Sequence, residues 1–273
     1  ELYRHSPRDA EAYDRFGKTM SQIGMAVRPI LATVPPNVIY PSFSDLNSLK
    51  KLYDHFKSIS PEQFEYLCKL MTMSSADFLD EWFEYEPLKA TMSASGIIGT
   101  FLGPHSPGSA YVMLHHYMGD IDGSFRAWGF QRGGTGAVSM AIAKSAMNFG
   151  AEIKTESNVE KVIVKNSRAI GVGLTNGDEY YADKIISGLD PKLTFLKMVD
   201  KRELPDDFLK SIQNFRIRGS SGKVNLALDG LPDFKCLPGE GPHLRGAISI
   251  SPDYDHLEKA YDDAKYGQFS TEP

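Results

Sequence analysis

Apolar residues in the first half of the chain recur at spacings of three and four, the period of an amphipathic helix. Two of the predicted helices are preceded by Ser-Pro pairs, in which serine can cap the first N–H groups and proline suits the first turn. Gln63, three residues after Ser60, comes close to completing a capping box. The pattern predicts helices over 8–27, 44–56, from 61 through 71 and over 81–92. Their stripes indicate one shared core, to which the third helix contributes Phe64, Leu67, Cys68 and Met71.

The second half of the chain changes period. A strongly amphipathic helix follows Gly133-Gly134-Thr135-Gly136 and is predicted to stop at Gly150. Alternating and β-branched residues then predict strands, with turns at Asn166-Ser167 and at Asn176-Gly177, a strong hairpin signal. The predicted strands cover 151–154, 159–164, 169–175 and 180–187, and the last three form a β-meander. In the remaining chain we expect helices over 191–198, 204–215 and 254–264, and strands over 223–228 and 246–250.

Composition narrows the class of protein. Apolar residues make up 41% of 273 residues and charged residues 24%, which are globular proportions. The formal net charge is −5 and no basic stripe is present, so nucleic acid is not an expected partner. Cys68 and Cys236 form no metal-binding or redox motif and suit a reducing compartment. No apolar run approaches the ~18 residues of a membrane span. We therefore expect an intracellular protein. In a bacterium we expect it in the cytoplasm, and in a eukaryote the mitochondrion is a candidate compartment.

Familiar catalytic motifs are absent from the sequence. It contains no G-x-S-x-G, no H-E-x-x-H and no P-loop, because no lysine follows Gly133-Gly134-Thr135-Gly136. His115 and His116 are adjacent, so they diverge on either a helix or a strand and make a poor metal pair; no metal site is expected. The glycines between Ala94 and Gly119 allow either tight helix packing or close approach of a ligand.

The order of elements around the meander carries more information. The motifs follow one another in an unusual order: the double glycine, the helix, Val159-Glu160-Lys161-Val162, Asn176-Gly177 and Asp190-Pro191. This order resembles the phytoene desaturase and amine oxidase superfamily of FAD-dependent oxidoreductases. Further blocks are similar to its phytoene-dehydrogenase-related members: 86–90, 103–116, 128–130, 194–197 and 260–267.

The resemblance implies an α+β or α/β fold of the FAD/NAD(P)-binding, glutathione reductase-like class. Residues 1–130 would be a largely helical substrate-binding region. Residues 131–200 would be the middle part of the FAD domain, and 201–273 part of the substrate-domain sheet with its helices. Members open with a Rossmann βαβ unit whose G-x-G-x-x-G binds the FAD pyrophosphate. This sequence lacks that unit and begins at Glu1, so we expect an internal piece of a longer flavoprotein that binds FAD weakly or not at all by itself.

The resemblance also suggests site residues, each with a plainer alternative. Val159 would present its backbone to the adenine of FAD, or serve only as a core strand valine. Gly133 and Gly134 would lie near the flavin, or only begin a helix. Tyr111, His115 and His116 would face the substrate cavity as candidate catalytic residues, with a histidine as base, or pack in a core.

Three functions remain open at this point. The first is hydride transfer to FAD from a small apolar or otherwise uncharacterised substrate, in a desaturase or dehydrogenase type of reaction. The second is non-catalytic binding of the GDP-dissociation-inhibitor type, which uses the same fold. The third is a scaffold within a larger assembly. In each case a homodimer formed through exposed apolar surface is expected, because the meander normally packs on a parallel sheet.

Overall fold

The computed structural model describes residues 1–121, 123–125, 129, 131–219 and 221–272. Trp128 and Phe130, from one of the blocks that carry the family resemblance, lie outside the described residues. The chain divides into two compact units, Glu1–Gly129 with Arg218–Pro273, and Phe130–Ile217. We refer to them as the helical unit and the meander unit. The division into three functional regions stays a prediction.

The helical unit is built from helices that the sequence pattern largely predicts. Ser6 accepts a hydrogen bond from Asp9 N at the start of the first helix, and Ser60 and Gln63 form the full capping box of the third. The prediction of one helix over 81–92 is wrong. Residues 81–85 separate two short helices, and Pro87 lies in the first turn of the second. The helices are α1 (Pro7–Leu31), α2 (Phe43–Lys57), α3 (Pro61–Thr72), α4 (Ser75–Asp80), α5 (Glu86–Ser93) and α6 (Ser109–Tyr117). A two-residue hairpin follows, β1 (Asp120–Ile121) with β2 (Ser124–Phe125).

The core of the helical unit lies where α1, α3, α4 and α6 meet. Phe16 on α1 is its aromatic centre and contacts Trp82 edge-on, with ring centroids 5.3 Å apart. The buried apolar members are Ala12, Phe16, Met20, Ile23, Val27, Leu67, Leu70, Ala76, Phe78, Leu79, Trp82, Phe83, Ala110, Met113, Leu114, Tyr117, Met118 and Tyr254.

In the meander unit, α7 (Gly134–Asn148) precedes an antiparallel sheet of order β3-β4-β5. Asn166 and Ser167 both take positive φ between β3 and β4, as a two-residue hairpin loop requires. The strands are β3 (Val159–Lys165), β4 (Arg168–Leu174) and β5 (Glu179–Tyr181), followed by α8 (Pro191–Leu193), a π-helical segment (Thr194–Met198) and α9 (Asp206–Asn214). The predicted stop at Gly150 is confirmed, with φ of 90° just beyond the helix.

Several predicted strands do not form. Residues 151–154 and 182–187 join no ladder, and neither do 223–228 and 246–250, so the expected partial sheet of the last region is absent from the described residues. The alternation in 223–228 is real, but Val224, Leu226 and Leu228 are all exposed. A strand needs a neighbour to pair its N–H and C=O groups, and the described part of the chain provides none there.

The last helix, α10 (Tyr254–Lys265), belongs to the helical unit and is held to its earlier segments by hydrogen bonds between residues distant in sequence. The Tyr254 hydroxyl donates to the Ala76 carbonyl at 3.3 Å, and the Tyr261 hydroxyl donates to the Phe101 carbonyl at 3.0 Å. Above the Tyr254 ring, at 5.2 Å from its centroid, lies the ammonium group of Lys89. That group is buried and paired with Asp80 and Glu86.

Attachment of α10 should weaken at alkaline pH. Burial raises the pKa of Tyr254 far above its usual value of 10, and the nearby Asp80 carboxylate raises it further. Above pH 10 the unfolded chain therefore loses a proton that the folded chain retains, and the free energy of unfolding falls as pH rises. We expect Tyr254→Phe to reduce this fall between pH 9 and 11 in urea unfolding followed by circular dichroism. An unchanged pH dependence in the variant would contradict the prediction.

Among the described residues, none of the helices combines the length and the apolar character needed to cross a bilayer.

Candidate functional site

An apolar cleft of about 590 Å³ lies in the helical unit between α1, α2, α3 and α6. Its volume falls within the range of pockets that hold small organic ligands. Carbon atoms dominate the wall. The cleft therefore suits an apolar ligand, which dispersion forces and the hydrophobic effect would stabilise there. The lining residues are Val27, Ile30, Phe56, Leu67, Cys68, Lys69, Met71, Thr72, Met73 and Tyr111.

The polar side chains at the cleft are largely engaged with the protein itself. Thr72 donates its hydroxyl proton to the Cys68 carbonyl at 2.9 Å. Lys69 directs its ammonium group at Glu81, 2.8 Å away, and that hydrogen bond raises the pKa of Lys69. Cys68 is exposed and carries a free thiol. The wall thus offers little that would bind a charged ligand.

Of the three candidate catalytic residues, Tyr111 lines the cleft and the two histidines do not. All three lie on α6, a helix that the sequence analysis left unassigned. His115 packs edge-on against Tyr111, with ring centroids 4.6 Å apart. His116 points its Nδ1 at the Val112 carbonyl, 3.2 Å away on the same helix. The helix therefore brings Tyr111 and His115 together and turns His116 to a different side.

The electrostatics of α6 favour a neutral His115. Burial lowers its pKa below the usual 6.5, and the adjacent His116 lowers it further. An uncharged imidazole behind Tyr111 keeps charge away from an apolar wall. Within the described ranges, no group of three or more His, Cys, Asp or Glu residues is arranged to hold a metal ion.

The three candidate cofactor residues all lie in the meander unit. Gly133 and Gly134 begin α7 with φ of 86° and 74°, a conformation that side chains rarely adopt. Space beside Gly134 is open, because an added Cβ would meet no atom within 4 Å. No side chain caps this helix end, so its first N–H groups have no side-chain acceptor. Val159 begins β3, pairs with Leu174 and lies at one edge of the described sheet.

Sequence reasoning missed the cleft because it placed the whole stripe of α3 in the core. Leu67 and Leu70 are buried, whereas Phe64, Cys68 and Met71 are exposed. Cys68 and Met71 form part of the cleft wall. The signal was present in the width of the stripe: apolar residues covered more of the helix circumference than one buried face requires. α3 therefore has two apolar faces, one for the core and one for the cleft.

Comparison with known proteins identifies relatives along nearly the whole chain. Residues 9–261 match the family described as flavin containing amine oxidoreductase. Pyridine nucleotide-disulfide oxidoreductase domain-containing protein 2 of Rattus norvegicus is 34% identical over 287 aligned residues, which cover 100% of this chain and 49% of the rat protein. The mouse protein of the same name is 35% identical over the same share. The chain thus spans about half the length of these relatives.

A more distant relative is a desaturase by name. Phytoene desaturase (lycopene-forming) of Pseudescherichia vulneris is 26% identical over 203 residues, or 73% of this chain and 36% of the bacterial protein.

Proposed function

Because the chain belongs to the flavin containing amine oxidoreductase family, we propose that the complete protein is an FAD-dependent oxidoreductase of the desaturase or dehydrogenase type. Its substrate is a small apolar molecule, and this chain supplies the cleft that binds it. The apolar lining of the cleft is the observation that carries the substrate class. A charged substrate would need partners that the wall does not offer.

The residues of the meander unit fit a flavin dinucleotide. Glycine has no side chain, so the backbone at the start of α7 can approach a cofactor ring closely. In the proposal Gly133 and Gly134 approach the cofactor there, and Val159 offers its backbone to the adenine. When bound, FAD supplies an isoalloxazine ring that accepts hydride.

The residues of the helical unit bind and orient the substrate in this proposal. The apolar wall excludes water from the substrate and fixes the orientation of the substrate along the cleft. Tyr111 forms one side, and His115 holds the Tyr111 ring edge-on as a positioning residue. Desaturation releases a proton together with the hydride, and the proposal assigns the acceptor of that proton to no residue of this chain.

Obstruction of the cleft tests the proposal. We expect Cys68→Trp, which fills the cleft from α3, to weaken binding of the apolar dye Nile red to the complete protein by about tenfold or more, because the indole ring would occupy space that an apolar ligand needs. Bound flavin, measured from its visible absorption, should be unchanged. Phe64→Trp is the matched control, since it places the same side chain on the exposed side of the same helix.

Two results would overturn the proposal. The first is a complete protein that binds apolar ligands yet contains no flavin, which would favour a carrier of the GDP-dissociation-inhibitor type. The second is equal affinity of both tryptophan variants for Nile red. The expected homodimer stays a prediction; Val138, Ile142 and Phe149, exposed along and beyond α7, would form its contact.

A further inference from the structure

The connection between α1 and α2 exposes an unusual set of large apolar side chains. Val34, Val38, Ile39, Tyr40 and Phe43 are each between 72% and 89% exposed. Isolated exposed apolar residues are common on proteins, but a continuous group within ten residues marks an interaction surface. We call this segment, residues 34–43, the apolar loop.

Hydrogen bonds and prolines hold the apolar loop in one shape. The Asn37 side-chain oxygen accepts from the N–H groups of Ile39 and Tyr40, both at 3.0 Å. The Asn37 N–H donates to the Asp45 carboxylate on α2, also at 3.0 Å. Pro35, Pro36 and Pro41 restrict the backbone further. The apolar side chains are therefore held outward, and binding would not require the loop to become ordered first.

The outer face of α2 continues the apolar surface. Phe43, Leu46, Lys50 and Tyr53 follow one another at spacings of three and four, and all four are exposed. Aromatic and aliphatic side chains interrupted by lysine are typical of helices that lie in a membrane interface. There the apolar parts enter the boundary of the acyl chains while the ammonium groups reach the headgroups.

Charge in this region is opposite to that of the whole chain. Residues 25–60 contain four basic side chains, Arg28, Lys50, Lys51 and Lys57, against two acidic ones, Asp45 and Asp54. The complete sequence has a formal charge of −5. A locally positive, apolar surface on an acidic protein is complementary to anionic lipid headgroups.

We propose that the apolar loop and the outer face of α2 dock on the surface of a lipid bilayer containing anionic lipid. Ile39, Tyr40 and Phe43 enter the interface, and Lys50 and Lys51 bind headgroups. The helices on either side of the apolar loop, α1 and α2, contribute Ile30 and Phe56 to the cleft wall. Docking would therefore place the cleft beside the bilayer. The proposal concerns membrane attachment alone and does not depend on the proposed redox activity.

Vesicle flotation tests the proposal. The protein is mixed with vesicles of phosphatidylcholine, with or without phosphatidylserine. We expect binding that is stronger when phosphatidylserine is present. The triple variant Ile39→Ser, Tyr40→Ser, Phe43→Ser should lower the bound fraction by about tenfold or more, because three interfacial apolar side chains are lost. Lys50→Gln with Lys51→Gln should weaken binding to the anionic vesicles only.

A matched variant controls for a general loss of surface hydrophobicity. Val224→Ser, Leu226→Ser, Leu228→Ser also removes three exposed apolar side chains of the helical unit, away from the apolar loop in sequence. It should bind vesicles like the unmodified protein, and all variants should melt at the same temperature. The proposal is wrong if the unmodified protein floats with neither vesicle or if both triple variants bind equally. It is also wrong if light scattering shows that the apolar loop joins two copies that do not bind vesicles.

Discussion

Asp9→Ala is expected to lower the free energy of unfolding of the helical unit by about 3 kcal/mol or more, through the loss of a buried hydrogen-bond acceptor. The Asp9 carboxylate is completely buried near the start of α1. Its oxygens accept from Glu84 N at 3.0 Å and from Tyr85 N at 2.9 Å. These bonds fix the turn between α4 and α5 against α1. Alanine would leave both N–H groups without the acceptor that now replaces water.

Chemical denaturation followed by circular dichroism measures this effect. Asp14→Ala is the matched control, since it removes an exposed carboxylate from the same helix and should change stability by no more than about 0.5 kcal/mol. Asp9→Asn keeps one acceptor oxygen and should fall between the two. Equal unfolding midpoints for Asp9→Ala and Asp14→Ala would show that the buried carboxylate does not hold the turn.

Phe16→Ala is expected to cost about 3–5 kcal/mol, the range for removing a large aromatic side chain from a packed core. Phe16 is fully buried and contacts the rings of Trp82, Phe83 and Tyr117 at centroid distances of 5.3, 5.1 and 6.0 Å. These neighbours come from two segments, the connection between α4 and α5 and the end of α6, so the cavity left by alanine cannot close by moving one of them alone. The edge-to-face contacts with Trp82 and Tyr117 would be lost with the apolar area.

The same denaturation experiment separates core packing from the loss of an aromatic residue as such. Phe43→Ala removes the same side chain from an exposed position and should leave stability within about 0.5 kcal/mol. Phe16→Leu retains much of the volume and should cost less than Phe16→Ala. A Phe16→Ala variant as stable as Phe43→Ala would mean that the aromatic centre can repack around the missing ring.

The sequence predicted elements whose signals are local. The caps at Ser6 and Ser60, the stop at Gly150 and the turn at Asn166-Ser167 depend on a few neighbouring residues, and each appears as expected. The family resemblance, carried by blocks spread along the chain, is confirmed by the match over residues 9–261. The roles assigned to Tyr111, His115, His116, Gly133, Gly134 and Val159 stay predictions. What the structure adds is that Tyr111 alone among the α6 candidates lines the cleft.

The sequence by itself determined the starts of α1 and α3, the stop of α7, the turn between β3 and β4 and the family of the chain, because these follow from short-range hydrogen bonding and from the order of motifs. Only the tertiary structure decided which apolar face of α3 enters the core and which lines the cleft. It likewise decided that Asp9 is buried, that α10 packs on residues far back in sequence, and that 223–228 pairs with no strand of the described residues. The physical reason is common to all four. Burial and strand pairing depend on partners brought together by the fold, and the spacing of residues along one segment does not specify those partners.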